Sequence, residues 1–241
     1  MIQSPARLIS AAIQSAARCR DNETTRFCLS GAQFRFDASK STLTVTASDG
    51  RQLATTTVAV TSTEERGDWE AVFDIAQLWK LRASKRAGLV TLQRDDDTLR
   101  VSWGNGLHGS RGREHTAVCS AIHGRFPNWE QCFKADAPAS VTKICPAIWA
   151  ESILGDEWEG YDVDINGKAT FTRELTLSHE EHTGETIPMR VNLGMFAEHL
   201  ATIFGEFADI KQWGTDDVVE VSGGFGVAKS RYLLMPMSTR R

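Results

Sequence analysis

His179-Glu180-Glu181-His182 places two imidazoles and two carboxylates side by side, the donor types that hold zinc or move protons. Their order is not the His-Glu-x-x-His of a helical zinc site, whose histidines share one face, and the segment falls between strand-like runs. It reads as a solvated hairpin tip. Cys19, Cys28, Cys119, Cys132 and Cys145 are odd in number and form no Cys-x-x-Cys pair, which argues for reduced, mostly buried thiols. Gly223, Gly224 and Gly226 precede a strand, so no helix N-terminus is there to hold a phosphate, and Gly223-Gly224 reads as a turn. No serine stands in a Gly-x-Ser-x-Gly elbow. The sequence therefore calls for no metal and no cofactor. A minor enzymatic reading would rest on Cys119 or on His179 to His182.

Binding chemistry is better represented. A helix is expected from Ile75 to Ala87, capped by Asp74 and stopped by Gly88, and Lys80, Arg82, Lys85 and Arg86 lie in it with no acidic neighbour. In the first helix Arg7, Ala11, Gln14 and Arg18 recur at helical spacing, opposite Leu8 and Ile13. Two positive helix faces suit phosphates, with affinity that is salt-dependent and blind to base sequence; a merely solvated face is the alternative. The net charge of -4 excludes a uniformly basic nucleic-acid coat. Seven tryptophans are scattered, which favours packing over a platform for bases.

The elements that must position these residues alternate. Ser4 is expected to cap a helix with Pro5 in its first turn, running to about Arg18. Half-buried strands follow, with Phe34 and Phe36, then Leu43, Val45 and Ala47 on one face and Thr44 and Thr46 on the other. Val90 and Leu92 face Leu99, Val101 and Trp103 across Asp95-Asp96-Asp97. The second half repeats the order: a strand around Val141, a helix opened by Pro146 and stopped by Gly155, strands around Tyr161 to Ile165 and Leu175 to Leu177, and a helix capped by Asn192 with Leu193, Phe196, Leu200 and Ile203. The fold class is α+β, two tandem domains, each with two helices on antiparallel sheets, 1–134 and 135–241. Hydrophobic residues at 41% and charged residues at 24% agree with a folded globular chain. Met1 to Ala17 lacks a signal-peptide core and no window is long enough for a membrane span, so the cytoplasm is expected.

Four strings carry a resemblance. They are Leu43 to Ala54, which ends in Ser48-Asp49-Gly50-Arg51-Gln52-Leu53-Ala54; Gly124-Arg125-Phe126-Pro127-Asn128-Trp129; Tyr232-Leu233-Leu234-Met235-Pro236-Met237; and Arg26 to Gly31. The first three, in the same order and at similar separations, resemble the ATDGHRLA, GRFPDY and YVVMPMRL strings of the bacterial DNA polymerase III beta subunit, the sliding clamp, and Arg26 to Gly31 also looks like its RYYLNG. The likeness covers essentially the whole chain, as the family's middle and C-terminal domains.

The resemblance implies a non-catalytic protein whose helices face duplex DNA without regard to sequence, through Arg7, Arg18, Lys80, Arg82, Lys85 and Arg86. It implies a pocket for short apolar peptides of a polymerase and an ATP-driven loader. That pocket would comprise Leu29, Ser48, Gly50, Arg51, Gln52, Leu53, Pro127, Gln131, Cys132, Leu233, Leu234, Met235, Pro236 and Met237. Methionines two apart on a strand face the same way and reshape around apolar guests, and Pro236 between them suits an edge. The chain departs from the family at Arg51-Gln52, where the family has His-Arg, at Gln131, where it has arginine, and after Met237. The second-half helices carry Glu151, Glu198 and His199. Family rings hold six domains, so two-domain chains would close as a homotrimer. A clamp-like adaptor that binds such peptides without a ring is the other reading.

Overall fold

The structure, a computed structural model, describes residues 1–20, 27–62, 67–81, 88–104, 114–155, 179–185, 187 and 193–235. Strand β1 (Ile2–Pro5) leads into helix α1 (Ala6–Cys19). Strands β2 (Ala32–Asp37), β3 (Thr42–Ser48), β4 (Gln52–Ala59), β5 (Thr61–Ser62) and β6 (Trp69–Phe73) follow, then β7 (Leu89–Asp95), β8 (Thr98–Gly104) and β9 (Glu114–Ser120). Next come β10 (Ser140–Ile144), α2 (Pro146–Gly155), β11 (Glu181–Gly184), α3 (Leu193–Leu200), β12 (Ala208–Gln212), β13 (Val219–Phe225) and β14 (Ala228–Leu234). The class is α+β, as expected.

All pairing between these strands is antiparallel. One sheet has the order β5-β1-β7-β8-β9 and the other β11-β10-β12-β13-β14-β4-β3-β2-β6. The larger sheet draws on both halves of the chain, and β14 against β4 is where they meet. Period-2 patterning puts Phe34, Phe36, Leu43, Val45, Ala54, Val58 and Tyr232 on one face, in a single core with Leu8, Ile9 and Ile13 of α1. α1 lies directly on β3 and β4.

The other face was expected to be wet, yet Thr44 and Thr46 are buried. Their hydroxyls pair across the sheet with Thr57 at 2.9 Å and Thr55 at 3.0 Å. The chain after β9 returns over part of this face, with Trp129 on Gln33 and Phe133 on Arg231.

Five local expectations are corrected. Ser4 does not cap α1: it is extended opposite Val90 in β1, and its hydroxyl donates to the Ala59 carbonyl at 2.7 Å. Asp74 does accept the Ala76 N–H at 2.8 Å, but the following helix is a single 3-10 turn, Ala76–Lys80. It stops because Leu81 is buried and its carbonyl accepts Ser10 Oγ at 2.7 Å and Gln14 Nε2 at 3.4 Å from α1. Arg82, Lys85 and Arg86 lie outside the described residues.

Gly223 and Gly224 sit inside β13, and the turn to β14 is made at Gly226, with φ 58. Glycine at 223 answers a close approach: a Cβ there would be 2.5 Å from the Phe204 carbonyl oxygen and 2.6 Å from Ile203 Cγ2. Glu181–Gly184 is no hairpin tip but a strand on β10, at the edge of the sheet among the described residues, with His182 opposite Thr142. Helix α2 begins at Pro146 as expected, whereas α3 ends at Leu200, before Ile203. The strands expected around Tyr161 to Ile165 and Leu175 to Leu177, and the cap Asn192, lie outside the described residues. Among the described residues no helix is long and apolar enough to cross a membrane.

Gly223→Ala is expected to destabilise the protein by about 2 kcal/mol in urea unfolding, because carbonyl and methyl compete for one space. Gly67→Ala, with nothing within 4 Å of the added Cβ, should leave the midpoint nearly unchanged.

Candidate functional site

A corner forms where the β3–β4 turn meets the end of β14. Asp49 Oδ1 accepts the N–H groups of Arg51 at 2.8 Å and Gln52 at 2.9 Å, the local bonding that makes Asp a turn former, and Gly50 supplies φ 85. Ser48 Oγ donates to the Gln52 carbonyl at 2.8 Å and accepts the Gly50 N–H at 3.1 Å. The Met235 N–H then donates to the Arg51 carbonyl at 3.0 Å, extending the β14–β4 ladder beyond Leu234. Leu53 and Leu233 are direct partners on the outer face and both are buried. Arg51 and Met235 are exposed.

A second group arrives from the chain after β9. Its 3-10 turn Trp129–Cys132 is anchored over β2 by Trp129 Nε1 donating to Gln33 Oε1 at 2.7 Å. At the far end the Phe133 ring centre lies 3.6 Å from the Arg231 guanidinium of β14. Register aligns Gln33, Thr46, Thr55 and Arg231 in one row across four strands, so this turn crosses the sheet along that row. The adjacent row is Ser48, Leu53 and Leu233. Gln131 and Cys132, at the end of that turn, are exposed. Leu29 packs instead with Val72 and Phe126, edged by Cys28, Ile122 and Trp129, with Pro127 exposed next to them. Pro236 and Met237 lie outside the described residues.

Of the residues expected to face DNA, Arg7 is exposed, its guanidinium 5.6 Å from the Phe225 ring centre. Arg18 is half-buried and its Nε is 3.4 Å from Glu198 Oε2 of α3. Lys80 closes the Ala76–Lys80 turn. Cys19 and Cys119 are buried, Cys28 and Cys145 half-buried and Cys132 exposed, all as free thiols.

Beneath the corner lies a buried polar junction that sequence reasoning missed. Tyr232 donates its hydroxyl to Gln52 Oε1 at 2.8 Å, and Gln52 Nε2 donates to the Arg18 carbonyl at 3.1 Å and to Asp49 Oδ2 at 2.9 Å. The Tyr232 ring stacks on His199 at 3.7 Å, and His199 Nε2 is 3.5 Å from Cys19 Sγ. Burial, reinforced by the Arg18 charge, lowers the His199 pKa to about 3; burial pushes the Cys19 thiol and the Tyr232 phenol up. A protonated, buried thiol beside a neutral imidazole is the wrong state for a nucleophile. The one available signal was the placement of His199 on the apolar stripe of Phe196 and Leu200, which implied burial but named no partner.

On the other side of the Trp129–Cys132 crossing is a cavity of about 700 Å³ lined by Arg35, Thr44, Thr57, Trp69, Glu70 and Glu130. Its Arg35 is already paired with Glu130 at 2.8 Å. Among the described residues no three His, Cys, Asp or Glu side chains converge as a metal site.

No family model matches the chain, and no curated protein matches it in sequence. The likeness lies in the fold. A DNA polymerase sliding clamp from Bacillus subtilis aligns with TM-score 0.76 at 14% identity, over 99% of this chain and 64% of its own. The DNA polymerase III beta chain from Streptococcus pneumoniae gives 0.72 at 12%, over 98% and 64%. Subunit beta from Borrelia burgdorferi, solved in complex with a natural product, gives 0.72 at 16%, over 100% and 63%. The chain therefore falls among α+β proteins with helices laid on antiparallel sheets. More particularly, its fold is that of the DNA polymerase III beta subunit, of which it spans less than two thirds of the length.

The depressed His199 pKa makes stability depend on pH. The unfolded imidazole binds a proton below about 6.5 and the folded one resists until about 3, so stability is full above that window and falls as pH drops through it. The slope should approach about 1.4 kcal/mol per pH unit. His199→Phe, which keeps a ring against Tyr232, should flatten that part of a urea-unfolding profile even though Asp49, Glu198 and Arg18 stand nearby.

Proposed function

We propose that this chain is a two-domain sliding clamp, a non-catalytic processivity factor with domains 1–134 and 135–241. The observation that carries this reading is the fold match over 99% of the chain. Three copies would supply the six domains of a closed ring around duplex DNA. Arg7, Arg18, Lys80, Arg82, Lys85 and Arg86 would face the phosphates, whose contacts are weak enough to permit sliding. A polymerase and an ATP-driven loader would dock short apolar peptides at the corner of Ser48, Gly50, Arg51, Leu53, Gln131, Cys132, Leu233 and Met235. Pro236 and Met237 extend it, and Leu29 and Pro127 flank it. The cytoplasm is the matching compartment.

One observation favours a second reading, a peptide-binding adaptor that never encircles DNA. The Arg18–Glu198 ion pair ties up one of the cations assigned to DNA, on a helix whose stripe otherwise exposes only Arg7.

Light scattering across a dilution series decides between them. The clamp requires a persistent molar mass near three times 26.6 kDa, whereas a monomer that still binds peptide is the adaptor. For the clamp, reversing Lys80, Arg82, Lys85 and Arg86 together to glutamate should shorten retention on nicked circular DNA. Retention equal to the unmodified protein's would remove these residues from the DNA-facing role.

A further inference from the structure

We infer that Gln52 is a positioning residue for the docking corner rather than part of its surface, and that it holds the corner through the junction between the two halves of the chain. The inference rests on reading the corner as a peptide-docking site. Gln52 is 5% exposed and lies on the helix side of β4, opposite Leu234, while Leu53 is on the outer face. Its amide has no donor left for a guest. Oε1 accepts from Tyr232, and the two Nε2 hydrogens go to the Arg18 carbonyl and to Asp49 Oδ2.

Each of these bonds ends on a different element. Tyr232 belongs to β14, Arg18 to the last turn of α1, and Asp49 to the β3–β4 turn. Asp49 in turn fixes Arg51 and Gln52 through their N–H groups, and the Arg51 carbonyl receives the Met235 N–H. Gln52 thus links the exposed lip, Arg51 and Met235, to α1 and β14 through fully used hydrogen bonds. A buried amide with no spare donor tolerates little displacement, since any shift leaves a group unpaired in a dry site. The lip keeps its place only while the junction keeps its own.

Gln52→Met keeps the volume and removes all three bonds. Tyr232→Phe removes one and keeps the ring on His199. The probe is a short fluorescein-labelled peptide ending in leucine and phenylalanine, read by anisotropy, together with amide exchange at Met235 and thermal melting. Each single change should raise Kd about tenfold and speed exchange at Met235, and the double change should cost no more than Gln52→Met alone, because the two cut one link. Melting lowered with Kd and Met235 exchange unchanged would make Gln52 merely structural and overturn the inference. So would multiplicative Kd effects. Should the unmodified protein bind no peptide, the docking reading fails by itself. Exchange at Met235 then decides alone: no acceleration in Gln52→Met sinks the inference, and acceleration sustains it.

Discussion

The antiparallel pairing of β14 with β4 is the constraint on which the rest depends. Six residue pairs, from Lys229 with Thr57 to Leu234 with Gln52, turn two separate groups of strands into one sheet. Because the side-chain period of a strand is two, that register decides everything around it at once. Leu53 and Leu233 meet on the outer face, and Gln52, Tyr232 and Leu234 are sent to the helix side. A slip of one residue would bury Arg231 against α1 and expose Tyr232.

Polar residues hold this junction in addition to apolar burial. On the outer face Glu220 is 1% exposed and accepts Arg231 at 3.1 and 3.0 Å, with Lys211 at 3.4 Å, while Phe133 covers the guanidinium. On the inner face Gln52, Tyr232, His199 and Cys19 fill the gap between α1 and α3. Hydrophobic contact is indifferent to small rotations; hydrogen bonds in a low dielectric are not, and unpaired partners are costly. The two networks therefore specify how the halves meet more than they add to stability.

Much of the fold was legible. Alternation of Phe34 and Phe36, of Leu43, Val45 and Ala47, and of Val90 and Leu92 marked real strands, since period 2 survives in any sheet with an apolar face. Pro146 marked the start of α2 because its missing N–H costs nothing there. Local rules failed where a distant segment offered a better partner. Ser4 gave its hydroxyl to Ala59 instead of a helix N-terminus, Leu81 gave its carbonyl to α1 and ended a helix, and Gly223 served a neighbouring backbone rather than a turn.

The candidate site divides along the same line. Sequence by itself determined the string Ser48 to Ala54, the leucines and methionine that follow Tyr232, and a family resemblance strong enough to name a fold, because these are short-range patterns that one strand or turn carries alone. Tertiary structure alone decided that Gln52 is spent on an internal junction, that Arg18 answers Glu198, that Leu29 joins Val72 and Phe126, and that His199 stays neutral against Tyr232. The reason is physical: a side chain's role follows from which groups share its low-dielectric surroundings, and those groups lie far along the chain and meet only once it has folded.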